Sequence, residues 1–411
     1  MSVRHATAAR ALAACVAALS LAVAGCSTTE PADSDSASDR SGQESSRDKF
    51  KDKPAVSSAS ASSNVALRGS AVPVDKMVAL TAQDGSFEKV SVSIGAGKNA
   101  LAGKMSGDGT RWKATQRLEP GQRYQVSTVA VDDDGLAAKK TTTFRTRDLT
   151  LDEQTFPSIA PLEGETVGVG MPVIIAFDVP VTDRANIEKH LSVQTTPQQR
   201  GSWAWLSDYE AHWRPQSYWK PGTDVTVNAD INSIDAGNGV FGQYSRSASF
   251  TIGDAMVSRI DVAAHEMRVF RNGSLLRTVP ISAGKAGFTT RSGTKVIIEK
   301  HRVKKMDSAT IGIVRDDPEY YRINNVEYAM RVTYSGEFLH AAPWSVGSQG
   351  SANVSHGCVG MSTANAAWLY NLSRRGDVVE VTGTNRGMEP GNGYTDWNKS
   401  FAEYRQESAL S

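Results

Sequence analysis

Between Val65 and Asp254 the chain alternates short β-like runs with turn signals, and no long stretch of helical period interrupts them. The pattern repeats. Glu119-Pro120-Gly121 leads into the alternating run Tyr124 to Val129, and about one hundred residues later Lys220-Pro221-Gly222 leads into Val225-Thr226-Val227. The closing runs Thr142 to Thr146 and Ala248 to Ile252 follow at a similar offset. A period of about one hundred residues in all-β sequence predicts tandem immunoglobulin-like sandwiches, at 65–150 and 151–254. Neither unit holds a cysteine, so both would lack the inter-sheet disulfide. Trp203, Trp205, Trp213 and Trp219 crowd into the second unit, and we read them as core or seam residues rather than as a platform for sugar rings.

From Val257 the pattern changes. Ile260 to Val262 and Met267 to Phe270 run into Asn272-Gly273 and then Leu275 to Val279, a strong hairpin signal. Further strands are expected at Lys295 to Lys300, Tyr328 to Tyr334 and Val378 to Val381. Ser362 is a candidate N-cap for a helix over Thr363 to Arg374, closed by Arg374, Arg375 and Gly376. Trp397, Phe401 and Tyr404 are spaced for one face of a short terminal helix that packs back on the domain before it. These signals divide the remainder into a domain at 255–383 and a C-terminal subdomain at 384–411.

The N-terminus reads differently. Arg4 and Arg10 precede an Ala/Leu/Val run from Ala11 to Ala24 that is too short to span a bilayer comfortably, which is the form of a signal peptide over 1–25. Residues 26–64 are rich in Ser and mixed charge, with Phe50 and Val56 as the only sizeable apolar side chains, and predict a disordered tether. Such a coil spans about 35 Å on average.

Charge excludes one class of partner. With 45 basic against 44 acidic side chains the net charge is +1, so no overall electrostatic pull towards nucleic acid exists. The three cysteines, Cys15, Cys26 and Cys358, lack the paired spacing of a metal site, and none is expected. Cys358 stands in Ser355-His356-Gly357-Cys358, downstream of His340-Ala341-Ala342-Pro343-Trp344. A thiol becomes a useful nucleophile when a base or a positive charge raises its thiolate fraction. His356, two residues before the cysteine, would stand roughly 6 to 7 Å along an extended backbone, too far for direct proton transfer. His340, at the end of an apparent strand, can be brought against the sulfur by a returning loop and is the better candidate base.

The Ser-His-Gly-Cys string with an upstream histidine resembles the YkuD catalytic domain of the L,D-transpeptidases. Val23-Ala24-Gly25-Cys26 is similar to a lipobox, and the arrangement as a whole resembles the actinobacterial lipoprotein type with two immunoglobulin-like domains. The stretches Trp219 to Thr223, Met306-Asp307-Ser308, the Trp344 segment and Arg375-Gly376-Asp377 carry the likeness further. The implied fold is mainly β, two tandem sandwiches followed by a β-rich YkuD domain with one or two short helices.

The resemblance implies a cysteine acyltransferase of peptidoglycan. Cys358 would attack a stem tetrapeptide before its terminal D-alanine, and an acceptor amine of another stem would resolve the thioester into a 3→3 cross-link. His340 would be the base, with the Ala341 carbonyl orienting its other nitrogen. His356 and Ser355 would shape the loop, and the Gly357 and Cys358 N–H groups would face the oxyanion. Tyr321, chosen over Tyr320, would assist through its hydroxyl, while Met306 and Trp344 would line the substrate entrance. No cofactor is implied, since the thioester conserves the amide's energy.

Carbapenem β-lactams are the implied inhibitors, and the lipid on Cys26 would hold the protein at the cell membrane, facing the wall or periplasmic space. The family usually has Asn or Arg two residues after the cysteine, where Gly360 stands here, so a loop with less support is expected. The alternatives are a catalytically silent wall-binding lipoprotein, an L,D-carboxypeptidase, and an enzyme attaching proteins to the wall. The lipobox reading has a direct test: a fatty-acid analogue fed to cells should label the wild type and leave Cys26→Ala unlabelled, and label on both refutes it.

Overall fold

The computed structural model describes residues 55–95 and 98–411, so the expected signal peptide, Cys26 and most of the tether lie outside the described residues. The described end of the expected tether is not all coil. Within it, Ser60–Ser63 is a strand paired antiparallel with Ala79–Gln83. Its serines offer little apolar surface, but backbone pairing needs none, and the flanking Ala59 and Val65 are buried in the first sandwich.

That first sandwich packs two four-stranded sheets around Leu80, Trp112, Leu118, Tyr124 and Phe144. The second packs the sheet of Pro157–Ala160, Val173–Phe177, Glu210–Pro215 and Gly201–Ser207 against that of Thr166–Val167, Arg246–Ile252, Asp224–Ala229 and Leu191–Thr196. The repeat read from sequence is visible in both. Each Pro-Gly turn feeds a central strand, Arg123–Val131 or Asp224–Ala229, which pairs antiparallel with the closing strand Ala137–Arg145 or Arg246–Ile252.

The four tryptophans of the second unit are all buried, and Trp213 stacks at 5.2 Å from Trp219. Two of their ring nitrogens find internal partners. Trp205 donates to Glu188 and Trp219 to the Met171 carbonyl, at 2.8 and 2.7 Å. With their faces covered they serve as core, as expected.

The third domain contains two sheets. The five-stranded sheet runs in the order Ser274–Pro280, Glu266–Arg271, Met256–Asp261, Val378–Thr382, Gly293–Val296, and the Asn272-Gly273 turn joins its first hairpin. The four-stranded sheet runs Glu299–Asp307, Arg322–Arg331, Phe338–Ala341, Val359–Met361. The strand expected over Lys295 to Lys300 is therefore two strands in different sheets, broken at Ile297 and Ile298. The apolar faces of both sheets and of the helix Thr363–Leu372 meet in one core that includes Ile260, Met267, Met330, Leu339 and Leu369. Ser362 caps that helix through Asn365 N–H, and the helix ends two residues before the expected Arg374 because Ser373 is already extended.

The terminal helix is shorter than its aromatic spacing predicts. It covers Phe401–Arg405 with Ser400 as cap, and Trp397 belongs to a separate turn, Asp396–Asn398. It packs on the second sandwich rather than on the domain immediately before it. Arg214 lies against the faces of Trp397, Phe401 and Tyr404 at 4.7, 5.5 and 4.4 Å. Its guanidinium also donates to the Lys399 carbonyl at 2.9 Å. Beside it, fully buried His212 sits between Asp396 and Glu210, 2.9 Å from each. The third domain is seated on the same sandwich by Gly168 N–H to Arg375 C=O and Gly170 N–H to Gly376 C=O, both 2.8 Å, and by the Glu165–Arg375 pair.

Burial alone would depress His212, but the charges of Asp396 and Glu210 outweigh it and hold its pKa at about 9. A folded value above the unfolded 6.5 gives stability that is complete below pH 6.5 and lost as pH rises through 9. We expect melting temperature to fall across that window by the equivalent of about 3 kcal/mol, and His212→Gln to flatten the dependence. Differential scanning calorimetry at stepped pH checks it, and equal slopes in both proteins would refute it.

Candidate active site

The site is built on one strand pairing. Phe338–Ala341, buried along its whole length, pairs in parallel with Val359–Met361, and the register sets Leu339 beside Val359 and His340 beside Gly360. Side chains two apart on a strand share a face, so Cys358 projects to the same side as His340. Both line a cavity of about 310 Å³. Met306, Tyr321, Trp344, Ser355, His356 and Gly360 line it too, so eight of the ten expected site residues converge there. Ala341 and Gly357, the other two, act through backbone groups.

His340 Nδ1 donates to the Ala341 carbonyl at 2.7 Å, which fixes the tautomer and leaves Nε2 with its lone pair. Burial pushes the imidazole pKa below its usual value, so the ring stays neutral. Trp344, 55% exposed, stacks over it at 5.8 Å and forms the solvent rim.

Cys358 is 7% exposed, and burial is the main cause that pushes its thiol up to about 12, against a smaller opposing effect of the Phe338 amide. Sγ donates to the Gly336 carbonyl at 3.6 Å. The expected contact between thiol and imidazole is thus not made in this state: the two share a cavity, but the S–H is turned towards Gly336. The resting pair is a neutral thiol and a neutral imidazole, not an ion pair.

His356 is committed elsewhere. Its Nε2 lies 2.7 Å from Glu319 Oε2, and its ring is wedged between Phe288 and Tyr321, with centroids at 4.5 and 4.9 Å. Glu319 also accepts from Lys285 Nζ at 2.6 Å. The hydrogen bond from Lys285, then that from His356, hold the Glu319 carboxyl below its usual range. Sequence reading missed both partners. A Lys–Glu pair 34 residues apart leaves no local pattern, although Glu319 does lie two residues from the selected tyrosine. Tyr321 is fixed from behind by Ser308, which bonds both its N–H and its carbonyl, and burial raises its phenol to about 12. Tyr320 is not among the residues lining the cavity.

The loop before the cysteine is closed by Ser355, whose Oγ donates to the Cys358 carbonyl at 2.6 Å and accepts from Gly357 N–H at 3.1 Å. Gly357 has a φ of +118°, a conformation that favours glycine. Its N–H, expected to face an oxyanion, is used here to shape the loop.

Gly360 also corrects its expectation. Its N–H and carbonyl both pair with Ser282, at 2.8 and 2.9 Å, so the backbone holds the segment without a side chain. A Cβ on residue 360 would stand 2.8 Å from the Ala342 Cβ, closer than packing allows. The pocket is built around glycine.

A second cavity of about 340 Å³ adjoins the first, with Met306 and Tyr321 common to both. Lys304, Lys305 and Arg331 line it, together with Gly336, whose carbonyl accepts the thiol hydrogen bond. Cys358 itself lines only the first of the two.

Comparison with known proteins gives the family. The L,D-transpeptidase catalytic domain family, YkuD, matches residues 256–381, and a bacterial Ig domain family matches 69–235. L,D-transpeptidase 2 of Mycobacterium tuberculosis is 39% identical over 339 residues, 82% of this chain and 82% of that protein. L,D-transpeptidase 5 of the same species is 35% identical over 339 residues, 80% of this chain and 72% of that one. A solved L,D-transpeptidase in complex with imipenem is 39% identical, covers 55% of this chain and 97% of its own, and superposes with a TM-score of 0.49. With a relative at 39% identity across 82% of each chain, and a YkuD domain that places His340 and Cys358 on one face, this chain belongs to the L,D-transpeptidase family, transferases that act on peptidoglycan.

Proposed function

We propose that this transpeptidase works as a cysteine acyltransferase that forms 3→3 cross-links through a thioester on Cys358. The observation that carries the reading is the tautomer of His340: with Nδ1 bound to Ala341, the free Nε2 is the proton acceptor on the face that bears the thiol. Rotation of Sγ away from Gly336 brings the S–H to that nitrogen. His340 takes the proton, and the thiolate adds to the carbonyl between the third stem residue and the terminal D-alanine. The imidazolium then protonates the departing amine of D-alanine. In the second half His340 takes a proton from the acceptor amine of another stem as it attacks the thioester, and the thiol is restored by that proton.

Two adjoining cavities suit two stems. A donor would occupy the cavity lined by Cys358 and Trp344, and an acceptor would approach from the cavity lined by Arg331, across Met306 and Tyr321. A second cavity beside the first would favour transfer to an acceptor stem over hydrolysis or protein attachment, and His340 and Cys358 lining one cavity speak against a silent wall-binding role. Glu319 holds His356 as a wall of the site and not as its base. A carbapenem would acylate the same sulfur. With lipid on Cys26 holding the chain at the membrane, the two sandwiches would act as a stiff spacer. Their seam is tied by Arg117 to Asp230 at 3.2 Å and by Ser233 Oγ to the Leu118 carbonyl at 2.7 Å.

Several measurements address this reading. Cys358→Ala should fold normally and form no acyl-enzyme with a disaccharide tetrapeptide or a carbapenem by mass analysis; turnover at the wild-type rate would end the assignment. His340→Ala should slow acylation about 10²- to 10⁴-fold, with His356→Ala losing much less. Because burial depresses the imidazole, the acid limb of kcat/KM should lie below pH 6.5, the usual histidine value. Gly360→Asn should slow acylation about 5- to 150-fold, through about 1 to 3 kcal/mol of overpacking against Ala342. A faster Gly360→Asn enzyme in stopped-flow carbapenem acylation would show that the pocket can accept a side chain.

A further inference from the structure

Behind the site lies a chain of charges that the chemistry above does not use. Lys295, on the edge strand Gly293–Val296 of the five-stranded sheet, is 1% exposed, and its Nζ meets Oε2 of Glu337, 4% exposed. Glu337 immediately precedes the His340 strand in the other sheet. Its Oε1 accepts twice from Arg291, from the backbone N–H at 3.1 Å and from Nη1 at 2.9 Å. Arg291 Nε reaches on to Glu389 in the C-terminal subdomain, and Asn392 Nδ2 holds that carboxylate at 3.0 Å. The series Lys295, Glu337, Arg291, Glu389 thus runs unbroken from the interior of one sheet to the C-terminal subdomain.

Its inner end touches the cysteine loop on both sides. A Cβ on Gly357 would lie 3.6 Å from Glu337 Cγ and Oε1, so the glycine next to the nucleophile rests on this carboxylate. Thr290, adjacent to Arg291, donates to the Gly357 carbonyl at 2.8 Å and accepts from Gly284 N–H at 2.8 Å. Gly336, which takes the thiol hydrogen bond, adjoins Glu337 in sequence. Burying charges costs several kcal/mol per ion, and an apolar filling of the same volume is often as stable or more so. A group of this kind placed against a nucleophile's loop is therefore better explained by what it does to the nucleophile than by what it adds to the core.

We propose that the Lys295–Glu337–Arg291 network, anchored through Glu389, is a positioning device for Cys358: it fixes Gly336 and Gly357 on either side of the thiol and sets the charge behind the sulfur. The inference deepens the reading of Cys358 as nucleophile and rests on it. Besides this network, the groups that face the sulfur are Arg331 from the neighbouring strand, Tyr321, and His340 and His356 across the cavity. All of these stay in place in the variants below.

The test reads the thiol directly, as the rate of iodoacetamide alkylation at Cys358 in the full chain, followed by peptide mass at a fixed pH below the thiol midpoint. Glu337→Gln keeps the volume and removes the negative charge, and should speed alkylation about three- to tenfold. Lys295→Met removes the positive charge and should slow it by a similar factor. Opposite signs are the signature, because a purely structural role would loosen the loop and move both variants the same way. Changes of one sign, or no change in either, overturn the proposal. If the buried variants do not fold, Glu389→Gln at the half-exposed end should move the rate in the direction of Glu337→Gln, and an unchanged rate there overturns it. Alkylation does not call on acyl transfer, so a failed charge effect and a failed nucleophile assignment are separate results.

Discussion

The parallel pairing of Phe338–Ala341 with Val359–Met361 is the constraint on which the rest of the site depends. Parallel neighbours need a crossover connection, and here the connection is the Trp344 turn and the loop that carries Ser355 to Gly357. The register then does the chemical sorting. A slip of one residue would turn Cys358 to the opposite face from His340 and bring His340 beside a bulkier neighbour than Gly360. The register is secured from outside the pair by Ser282, which bonds Gly360 through both backbone groups, and by Ser355, which clasps the cysteine's own carbonyl. A glycine at 360 is what allows Ala342 to approach, so the absence of a side chain is part of the pairing and not a gap in it.

Burial sets the state of the reactive groups. The same enclosure that raises the thiol lowers the imidazole, and both shifts favour the neutral forms. A site of this kind does not store a thiolate; in the proposed mechanism one forms only as the proton passes to Nε2. An uncharged resting thiol bonded to Gly336 is also less open to oxidation than an exposed thiolate, which suits a single unpaired cysteine among the described residues.

Much of this was legible in the sequence because the signals are local. The Asn272-Gly273 turn, the Ser362 cap, the two Pro-Gly turns and the Ser-His-Gly-Cys string each depend on residues within a few positions of one another. The missed features are of two kinds. Ser60–Ser63 carries no apolar alternation, since its pairing uses backbone groups alone, and its composition is that of a tether. Glu319 with Lys285 and His356, and Glu337 with Lys295 and Arg291, join charged residues that lie 34 to 46 positions apart. Charged residues usually read as solvated surface, and only the approach of the two sheets turns Lys295 and Glu337 inward. Trp397 fell outside its expected helix because Ser400, with the stronger cap, sets the start of that helix three residues later.

The C-terminal subdomain joins these threads. It contributes Asp396, Tyr404 and Trp397 to the clamp on the second sandwich, and Glu389 to the charge chain that ends behind Cys358. Arg375 and Gly376, just before the last strand of the five-stranded sheet, bond the same sandwich by their carbonyls. The second sandwich is thus fastened both to the sheet that holds Lys295 and to the segment that holds Glu389. From the C-terminal subdomain one path to the cysteine loop runs from Glu389 through Arg291 and Glu337, and another runs from Thr384 through Thr290 to the Gly357 carbonyl. The second sandwich and the cysteine loop are thus joined by an unbroken series of backbone and side-chain contacts, so the C-terminal subdomain belongs structurally to the support of the site.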